Sequence, residues 1–302
     1  MPDTRLIAID WGTTSARAYW LDGGGRIVDE RNAPLGIQKI IDRDFAGALA
    51  RLCGELPGGV PLLACGMIGS RQGWIETPYR DCPAGFGAIA AMLTVVPGTR
   101  VHIVPGLICR DRNRVPDVMR GEETQLFGAL PDDLRGRRAV VLPGTHSKWA
   151  IVSDSGIETF ATFMTGELYA VLREHSILGR LVAPGHDASA LERGLRHSLR
   201  EDAALSHDLF SARTLALTGV LAPAGITDYL SGLLLGAEIA AARVWLAQHQ
   251  LASAAVALVG DAMLSERYRS ALAVAAIDAT LGPTDAAARG LWRIAKHAGI
   301  MK

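Results

Sequence analysis

The sequence predicts an α/β protein built from two related lobes. A strand-rich stretch with a Gly-Thr turn begins near residue 5, and a second stretch of the same kind begins near residue 138. Helical patterns follow each stretch, so the order of strands, Gly-Thr turn, strands and helices occurs twice. We therefore expect a duplicated architecture whose boundary lies near residues 131–137, with an N-terminal lobe over 1–134 and a C-terminal lobe over 135–302.

The first lobe is expected to begin as a β-meander. An apolar, β-rich run predicts a strand in "RLIAID", alternating residues predict a second in "SARAYWLD", and a glycine turn leads into a third in "GGGRIVDER". Apolar residues at helical spacing predict a helix in "DFAGALARLCGEL", which ends before a Pro-Gly-Gly turn. Two further strands are predicted in "VPLLACGMIGS" and "RVHIVPGLICRD", and two further helices in "AGFGAIAAMLTVV" and "DVMRGEETQLFGAL".

The second lobe repeats this order and then becomes mainly helical. Strands separated by a Gly-Thr turn and a glycine turn are predicted across "RRAVVLPGTHSKWAIVSDSGIETFATFMTG". Four helices are predicted next, in "GELYAVLREHSIL", "ASALERGLRHSL", "LSHDLFSARTLALTG" and "ITDYLSGLLLGAEIAAARVWLAQH". The lobe is expected to end with a strand in "AAVALVGDA" and helices in "SERYRSALAVA" and "DAAARGLWRIAKHAG".

The composition favours a cytoplasmic protein that handles small molecules. Lys plus Arg and Asp plus Glu number 31 each, so no overall basic charge points to nucleic acid or an anionic membrane. Apolar runs such as "AAVALVG" are far shorter than the roughly 20 residues of a membrane helix, and the N-terminus lacks the apolar segment of a signal peptide. The four cysteines have no CxxC spacing, which favours buried thiols in a reducing compartment. A homodimer is compatible with these features.

The two Gly-Thr turns occupy matching places in the two lobes. They lie in "IDWGTTSARAYW" and "LPGTHSKWAIV", each between two apolar strands. Glycine lets the backbone approach a ligand closely, and successive N–H groups can bind an anion, so the pair predicts a grip on a polyphosphate. Arg17 or Lys148 would add positive charge, and Asp10 would hold Mg²⁺ through waters. The alternative is two ordinary hairpins with polar tips. Walker A, GxGxxG, HExxH and GxSxG motifs are absent from the sequence.

A pair of carboxylates stands out in the predicted helix "DVMRGEETQLFGAL". At 100° per residue, Glu122 and Glu123 fall within the half of the helix that carries the apolar side chains. Ionised carboxylates are rarely placed there without a partner or a function, so we expect a general base or a ligand of Mg²⁺-bound water. The alternatives are a salt bridge between the lobes or a capping role. Glu122 is preferred because it lies nearer the helix start; Asp117 is a third candidate whose other role would be the N-cap.

At this point the sequence resembles a known family. The segments "IAIDWGTTSARAYW", "ACGMIGSRQGWIETPYRDCPA", "VPGLICRD…DVMRGEETQLFGAL", "LPGTHSKWAIV…FMTGELYAVL" and "LVGDAMLSERYRSAL" together resemble the 2-dehydro-3-deoxygalactonokinase family over nearly the whole chain. The resemblance implies the sugar kinase/actin-like ATPase fold, with two duplicated RNase H-like lobes and ligands in the cleft between them. It also implies transfer of the ATP γ-phosphate to the 6-hydroxyl of 2-dehydro-3-deoxy-D-galactonate in galactonate catabolism, with ATP and Mg²⁺ as cofactors.

The resemblance also implies positions for the nucleotide and the base. The first phosphate loop falls on Asp10, Gly12, Thr13 and Thr14, and the second on Gly144, Thr145, His146 and Ser147, with Lys148 next to it. His146 would touch phosphate or make a hydrogen bond within the turn. The adenosine loop falls near Gly260, where this chain has Gly-Asp rather than Gly-Gly. The "GEE" stretch stands where related sugar kinases carry their base.

The substrate of that family is an anionic sugar acid, which requires a cation. Ser70, Arg71 and Trp74 lie on a polar loop that follows a predicted buried strand, so we expect them to bind the acceptor. The alternative for Arg71 is a surface salt bridge. Glu167 opens a helix and would either bind sugar hydroxyls or favour the helix N-terminus.

Two other functions remain open from the sequence. One is a kinase for another small sugar or sugar acid on the same fold, such as 2-keto-3-deoxygluconate. The other is an actin-like ATP-gated regulatory protein, which would usually carry a partner-binding domain for which this chain leaves little length.

Overall fold

A computed structural model describes residues 4–301, and the elements named here lie within that range. The strands are β1 (Leu6–Trp11), β2 (Ala16–Leu21), β3 (Ile27–Ala33), β4 (Leu62–Cys65), β5 (Tyr79–Asp81), β6 (Thr94–Val95), β7 (Val101–Ile103), β8 (Gly106–Arg110), β9 (Pro116–Met119), β10 (Arg138–Leu142), β11 (Ser147–Ser153), β12 (Gly156–Phe163), β13 (Val256–Leu258) and β14 (Ala279–Leu281). The helices are α1 (Phe45–Cys53), α2 (Phe86–Ala90), α3 (Glu122–Ala129), α4 (Thr165–His175), α5 (Ala188–Ser198), α6 (Leu205–Asp208), α7 (Ser211–Leu217), α8 (Ile226–Gln248), α9 (Ala262–Val274) and α10 (Ala286–His297).

The chain forms two compact units. The first contains the described residues up to Arg137, the segment Ala150–Phe160 and the C-terminal segment from Pro283; the second contains Arg138–Trp149 and Ala161–Gly282. The sequence analysis placed all of 135–302 in the C-terminal lobe, whereas α10 packs within the first unit. The physical reason is that α10 contacts α3 and β1, both far away in the sequence, and no local pattern reports such pairing.

The first unit is organised around a mixed six-stranded sheet of order β3–β2–β1–β4–β7–β6. The first three strands pair antiparallel, which confirms the predicted meander. β1 then pairs parallel with β4, and β4 pairs parallel with β7. Because β1 and β4 run in the same direction and end at the same edge, Asp10 lies directly beside Cys65.

Helix α1 covers one face of this sheet. Asp44 caps the helix by accepting a hydrogen bond from the N–H of Gly47 at 2.8 Å. Phe45 and Leu49 then pack with Ile7 and Ile9 in one buried cluster. The cluster fixes β1 firmly, so the polar residues at the end of that strand have a rigid support.

Helices α3 and α10 cross at two glycines. A Cβ atom on Gly128 would lie 1.8 Å from the carbonyl oxygen of Ala286, and one on Gly290 would lie 1.9 Å from that of Thr124. Real Cβ atoms do not approach backbone oxygens this closely, so only glycine allows the two helices to touch here. The crossing positions the start of α3.

The prediction of one helix across "DVMRGEETQLFGAL" is wrong in its first half. Residues 116–119 form β9, which pairs antiparallel with β8 and places Asp117 opposite Cys109. Gly121 has φ +109°, a conformation that breaks a helix, and α3 begins only at Glu122. Asp117 is therefore not an N-cap; it lies within a strand, and Gly121 occupies the N-cap position.

Several other predicted boundaries also change. The helix predicted in "AGFGAIAAMLTVV" is limited to the five residues of α2 and is followed by β6. The single strand predicted in "RVHIVPGLICRD" is two strands, and the second of them leaves the large sheet to form a three-stranded sheet of order β5–β8–β9. The proline between them supplies no N–H donor to extend the first ladder. The helix predicted in "LSHDLFSARTLALTG" is divided into α6 and α7.

The second sheet repeats the topology of the first. Its order is β12–β11–β10–β13–β14, and β10, β13 and β14 pair parallel. This order corresponds to β3–β2–β1–β4–β7 of the first sheet, with an N-terminal meander followed by parallel strands. The predicted duplication is therefore present in the strand order.

Helix α8 is the central helix of the second unit and packs closely against α5. A Cβ atom on Gly232 would lie 2.2 Å from the carbonyl oxygen of Leu191, and one on Gly194 would lie 2.2 Å from that of Tyr229. Within the described residues, Pro223–Gln248 is the one helical stretch that is long and apolar enough to cross a membrane by length and composition. Some 61% of its most apolar window is buried inside the protein, and the core helix of a soluble protein passes the same test.

Candidate active site

In the first unit, Asp10 marks the polar end of β1. The residue is half-buried, and burial raises the pKa of its carboxyl group, while the charge of Glu122 raises it further. Arg17 and a hydrogen bond from the Cys65 thiol, with sulfur and oxygen 3.9 Å apart, act in the opposite direction. Asp10 and Glu122 thus share one electrostatic environment although 112 residues separate them in sequence.

The turn before α3 brings Glu122 to this place. A Cβ atom on Gly121 would lie 3.0 Å from the Cα of Gly66, so the start of α3 touches the residue after β4. Glu122 is partly exposed, and its Oε2 accepts a hydrogen bond from the backbone N–H of Arg120 at 3.0 Å. The carboxylate is held at the N-terminus of the helix, where negative charge is favoured.

Glu123 has a different environment from its neighbour. Its side chain is fully buried; Oε2 accepts from the N–H of Gly121 at 2.6 Å, and Oε1 accepts from the hydroxyl of Thr124 at 2.9 Å. Burial and then the charge of Glu122 raise its pKa to about 8. At neutral pH this carboxyl group is therefore largely protonated, whereas Glu122 lies nearer the surface.

The first predicted phosphate loop lies between β1 and β2. Gly12 closes it by donating to the carbonyl of Ser15 at 2.9 Å, and the carbonyls of Gly12 and Thr13 accept from the N–H groups of Ile37 and Gln38. The loop carbonyls thus point toward the 36–38 turn, while Thr14 and Ser15 are exposed. Among the described residues, the N–H groups of 13–15 have no hydrogen-bond acceptor in the protein, as an anion-binding loop requires.

Arg17 lies opposite Asp10 on β2. Its guanidinium contacts the Tyr19 hydroxyl and the Glu30 carboxylate, both at 3.5 Å, and its side chain is 46% exposed. These contacts turn Arg17 toward β3. Its positive charge lowers the pKa of Asp10 by electrostatic attraction.

The three residues predicted to bind the acceptor, Ser70, Arg71 and Trp74, have different environments. Arg71 is 87% exposed in its side chain and pairs with Glu76 at 3.6 Å, the surface salt bridge that was its alternative role. Trp74 stacks on Phe45 with ring centroids 6.1 Å apart and packs against the core of the first unit, so it has a structural role here. Ser70 carries a buried hydroxyl oxygen without a partner in the described residues.

Arg120 is a residue that sequence reasoning missed. It is 9% exposed, its guanidinium donates to the side chain and the carbonyl of Thr77, and it lies 4.4 Å from the centroid of the Tyr79 ring. A Cβ atom on Gly69 would lie 3.1 Å from its Nη1. Arg120 therefore anchors the 69–79 segment, which carries the predicted acceptor residues, directly beside Glu122. The only feature of the sequence that could have indicated this role is the position of Arg120 directly before "GEE".

In the second unit, the second predicted loop forms one wall of a cavity of about 240 Å³. The other walls come from the start of α4, the middle of α8 and the first turns of α9. The lining residues are Gly144, Thr145, Thr165, Gly166, Tyr169, Ser231, Leu234, Leu235, Leu264, Arg267 and Tyr268. Apolar walls with a few polar groups are typical of a small-molecule site.

The side chains of the second loop point in different directions. His146 and Glu167 are hydrogen-bonded to each other through Nε2 and Oε2, and both are partly exposed. Ser147 is fully buried with its hydroxyl oxygen 2.6 Å from that of Tyr268, and the buried Lys148 donates to Thr162 at 2.8 Å. The predicted phosphate contacts of Ser147 and Lys148 find no support in these side-chain positions, because the two residues point to opposite faces of β11 and both faces are covered by the protein.

Gly260 links β13 to α9. It has φ +134°, which side-chain-bearing residues rarely adopt, and a Cβ atom there would lie 3.8 Å from the carbonyl oxygen of Pro143, the residue before the second loop. Asp261, which replaces the second glycine of the expected motif, caps α9 by accepting from the N–H of Leu264 at 2.9 Å. The departure from Gly-Gly thus supplies an N-cap to the helix that lines the cavity.

Mg²⁺ is the metal that the predicted chemistry implies. Within residues 4–301 there is no group of three or more His, Cys, Asp or Glu side chains that could hold a metal ion. Mg²⁺ keeps several waters and is commonly bound through one or two carboxylates and the phosphates of a substrate. Asp10, with Glu122 in electrostatic reach, meets that requirement.

Comparison with known proteins gives consistent results. The family model described as 2-keto-3-deoxy-galactonokinase matches residues 10–294. The 2-dehydro-3-deoxygalactonokinase of Escherichia coli (strain K12) is 37% identical over 296 residues, which cover 97% of this chain and 98% of that protein. A crystal structure from Sinorhizobium meliloti that carries the same enzyme name superposes with a TM-score of 0.85 at 37% identity, over 96% of this chain and 98% of the other.

A more distant solved structure bears on the fold alone. The activator of 2-hydroxyisocaproyl-CoA dehydratase from Clostridium difficile, solved with bound ADPNP, has a TM-score of 0.50 at 12% identity and covers 97% of this chain and 95% of its own. Together with the repeated strand order, this likeness confirms the predicted actin-like ATPase/sugar kinase fold.

Proposed function

This chain belongs to the 2-keto-3-deoxy-galactonokinase family, and from that membership we infer that it transfers the γ-phosphate of ATP to the 6-hydroxyl of 2-dehydro-3-deoxy-D-galactonate. It is a kinase, and the reaction belongs to galactonate catabolism. The observation that carries the residue assignments is the meeting of Asp10 and Glu122 at the carboxyl ends of β1 and β4.

Glu122 is proposed as the general base that accepts the proton of the 6-hydroxyl. A base must be ionised, near the surface and held in a fixed orientation. Glu122 is partly exposed and is oriented by the N–H of Arg120, whereas Glu123 is fully buried with a pKa raised to about 8. Glu123 instead stabilises the start of α3 through Gly121 and Thr124.

Asp10 is proposed to hold Mg²⁺ through water. The ion, when bound, neutralises charge on the transferring phosphoryl group. The N–H groups of the loop after Asp10 supply further donors for phosphate oxygens. Phosphoryl transfer passes through a loose transition state, so the contribution of these residues is positioning and charge stabilisation.

The nucleotide is proposed to occupy the cavity of the second unit. The backbone of Gly144 and Thr145 would bind phosphate, and a Cβ atom on Gly166 would lie 2.5 Å from the Gly144 carbonyl, so α4 begins against this loop. The apolar side chains of Leu234, Leu235 and Leu264 suit a nucleoside. Gly260 permits the turn that brings α9 to the cavity.

The acceptor is proposed to bind through the loop that Arg120 anchors. Arg71 offers an exposed guanidinium that could exchange Glu76 for the carboxylate of the sugar acid, and Ser70 stays a candidate, although its unpaired hydroxyl is buried. Glu167 stays a candidate for sugar hydroxyls, although its present partner is His146.

The assignment of the base is tested by two isosteric variants. Glu122→Gln is expected to lower kcat by about 10²–10⁴-fold, the usual contribution of a general base, with nucleotide affinity unchanged. Glu123→Gln serves as the matched control at the next position and is expected to keep kcat within a few-fold. If both variants turn over near the wild-type rate, Glu122 is not the base; if only Glu123→Gln is inactive, the two roles are exchanged.

A further inference from the structure

A buried carboxylate joins three elements behind the second loop. Glu238, on α8, is 3% exposed; Oε1 accepts from the indole N–H of Trp149 at 2.7 Å, and Oε2 accepts from the hydroxyl of Tyr268 at 2.9 Å. The Tyr268 oxygen lies 2.6 Å from the hydroxyl oxygen of Ser147. One carboxylate thus connects α8, α9 and the start of β11.

The direction of the hydrogen bonds in this chain is fixed by the number of protons available. Tyr268 has a single hydroxyl proton, and it is donated to Glu238. Ser147 must therefore donate its own proton to the Tyr268 oxygen. The order Ser147 to Tyr268 to Glu238 requires an accepting oxygen at its end, and Oε2 of Glu238 provides one.

Glu238 remains an acceptor despite its burial. Burial raises the pKa of its carboxyl group, while hydrogen bonds from Thr165, Trp149 and Tyr268 oppose that rise. A fully satisfied buried polar network specifies one arrangement of the surrounding elements, and a partly satisfied one is costly. The residues around Glu238 are therefore held in one arrangement.

The same residues form the cavity proposed for the nucleotide. Tyr268 and Thr165 line it, and Ser147 directly follows the loop whose Gly144 and Thr145 form another wall. None of the three elements is a neighbour of another in sequence. A substitution of Glu238 would consequently alter the positions of the cavity wall and of the second phosphate loop together.

We propose that Glu238 is a positioning residue for nucleotide binding. Through its hydrogen bond to Tyr268, and through Tyr268 to Ser147, it fixes the position of the second phosphate loop relative to the wall of the cavity that α9 forms. The inference rests on the proposed placement of the nucleotide in this cavity. Glu238 itself has no contact with the ligand, and it acts through the two hydroxyl groups.

The test measures ADP binding by calorimetry without sugar acid, so it does not depend on turnover. Tyr268→Phe deletes the central hydroxyl and is expected to raise the Kd for ADP up to about tenfold, the upper scale of one lost hydrogen bond. Glu238→Gln is expected to raise it less, because the amide can still accept from Trp149 but must donate to Tyr268, which reverses the Ser147–Tyr268 hydrogen bond. The KM for the sugar acid should stay within twofold in both variants.

The same unit offers a matched control. Tyr229 is fully buried, and its hydroxyl oxygen lies 2.9 Å from that of Ser211, but neither residue lines the cavity. Tyr229→Phe therefore removes an equivalent Tyr–Ser hydrogen bond with an equivalent loss of thermal stability. Its Kd for ADP is expected to equal that of the wild type.

A double-mutant cycle separates positioning from general destabilisation. If Ser147 and Tyr268 act as one chain, Ser147→Ala combined with Tyr268→Phe should raise the Kd for ADP no more than the larger single effect. Equal Kd values for Tyr268→Phe and Tyr229→Phe, additive effects in the cycle, or a wild-type chain that does not bind ADP would each overturn the inference. Normal ADP binding with no phosphorylation of the sugar acid would contradict the proposed function and leave the positioning role intact.

Discussion

The buried carboxyl group of Glu123 should make the stability of the protein depend on pH in a defined way. In the folded chain its pKa is raised from 4.5 to about 8, first by burial and then by the charge of Glu122. The folded state therefore binds one more proton than the unfolded state between these two values. Stability from this group is fully present below about pH 4.5 and is lost as the pH rises through about 8.

The size of the effect follows from the pKa values. At about 1.4 kcal/mol per pH unit, a rise from 4.5 to about 8 disfavours the ionised form in the folded chain by about 5 kcal/mol. Between pH 5.5 and pH 7.5 the wild type should lose about 2–3 kcal/mol of unfolding free energy through this residue. Glu123→Gln removes the titration and should show no such loss.

Glutamine can replace the protonated carboxyl group without an unpaired atom. Its carbonyl can accept from the N–H of Gly121, and its amide can donate to Thr124 if that hydroxyl reverses its role. The variant should therefore fold. The free energy of unfolding of the variant minus that of the wild type should be larger at pH 7.5 than at pH 5.5.

Urea unfolding of both proteins at several pH values measures this difference. Titrating groups away from α3 contribute equally to both curves, so the difference between the proteins reports Glu123 together with its coupling to Glu122. If the two stability curves run parallel from pH 5.5 to pH 7.5, Glu123 is ionised in the folded chain. The argument that separates its role from that of Glu122 would then fail.

Three further outcomes follow from the geometry. Gly290→Ala places a methyl group 1.9 Å from the Thr124 carbonyl and should cost about 3 kcal/mol in urea unfolding, whereas Gly87→Ala, with open space around it, should be near neutral; equal effects would contradict the close crossing of α3 and α10. Arg71→Ala should raise the KM for the sugar acid about tenfold or more, as loss of a charge-assisted contact does, with the KM for ATP unchanged; an unchanged KM for the sugar acid would leave Arg71 a surface residue. Asp10→Asn should raise the Mg²⁺ concentration for half-maximal turnover at least about tenfold, and an unaltered requirement would exclude Asp10 as the site of the ion.

The duplicated architecture could be predicted from the sequence because local residue patterns indicate it. Alternating apolar residues and Gly-Thr turns mark each meander, and these signals depend only on neighbouring residues. The position of Asp10 near the end of β1 followed from the continuous apolar run that precedes it. The strand β9 was missed because the apolar residues Val118 and Met119 fit the spacing of a helix and of a strand equally well. Only the pairing with β8 decides for a strand.

Features that depend on distant contacts could not be predicted. The crossing of α3 and α10 joins Gly128 to a helix that begins at Ala286, and neither glycine has a local signature. The buried state of Glu123 and the inward direction of Ser147 likewise follow from tertiary packing. The helical-wheel argument placed both glutamates on an apolar face, and the structure distinguishes them because α3 starts between Gly121 and Glu122.

The phosphorylated product tests the central claim most directly. The purified chain is incubated with ATP, Mg²⁺ and 2-dehydro-3-deoxy-D-galactonate, and the product is examined by mass spectrometry and by phosphorus–carbon coupling in NMR, with ADP measured in parallel. The account predicts one phosphate ester at carbon 6 for each ADP formed, and its loss in Glu122→Gln. ADP release without an ester, or an ester on another hydroxyl, would contradict it.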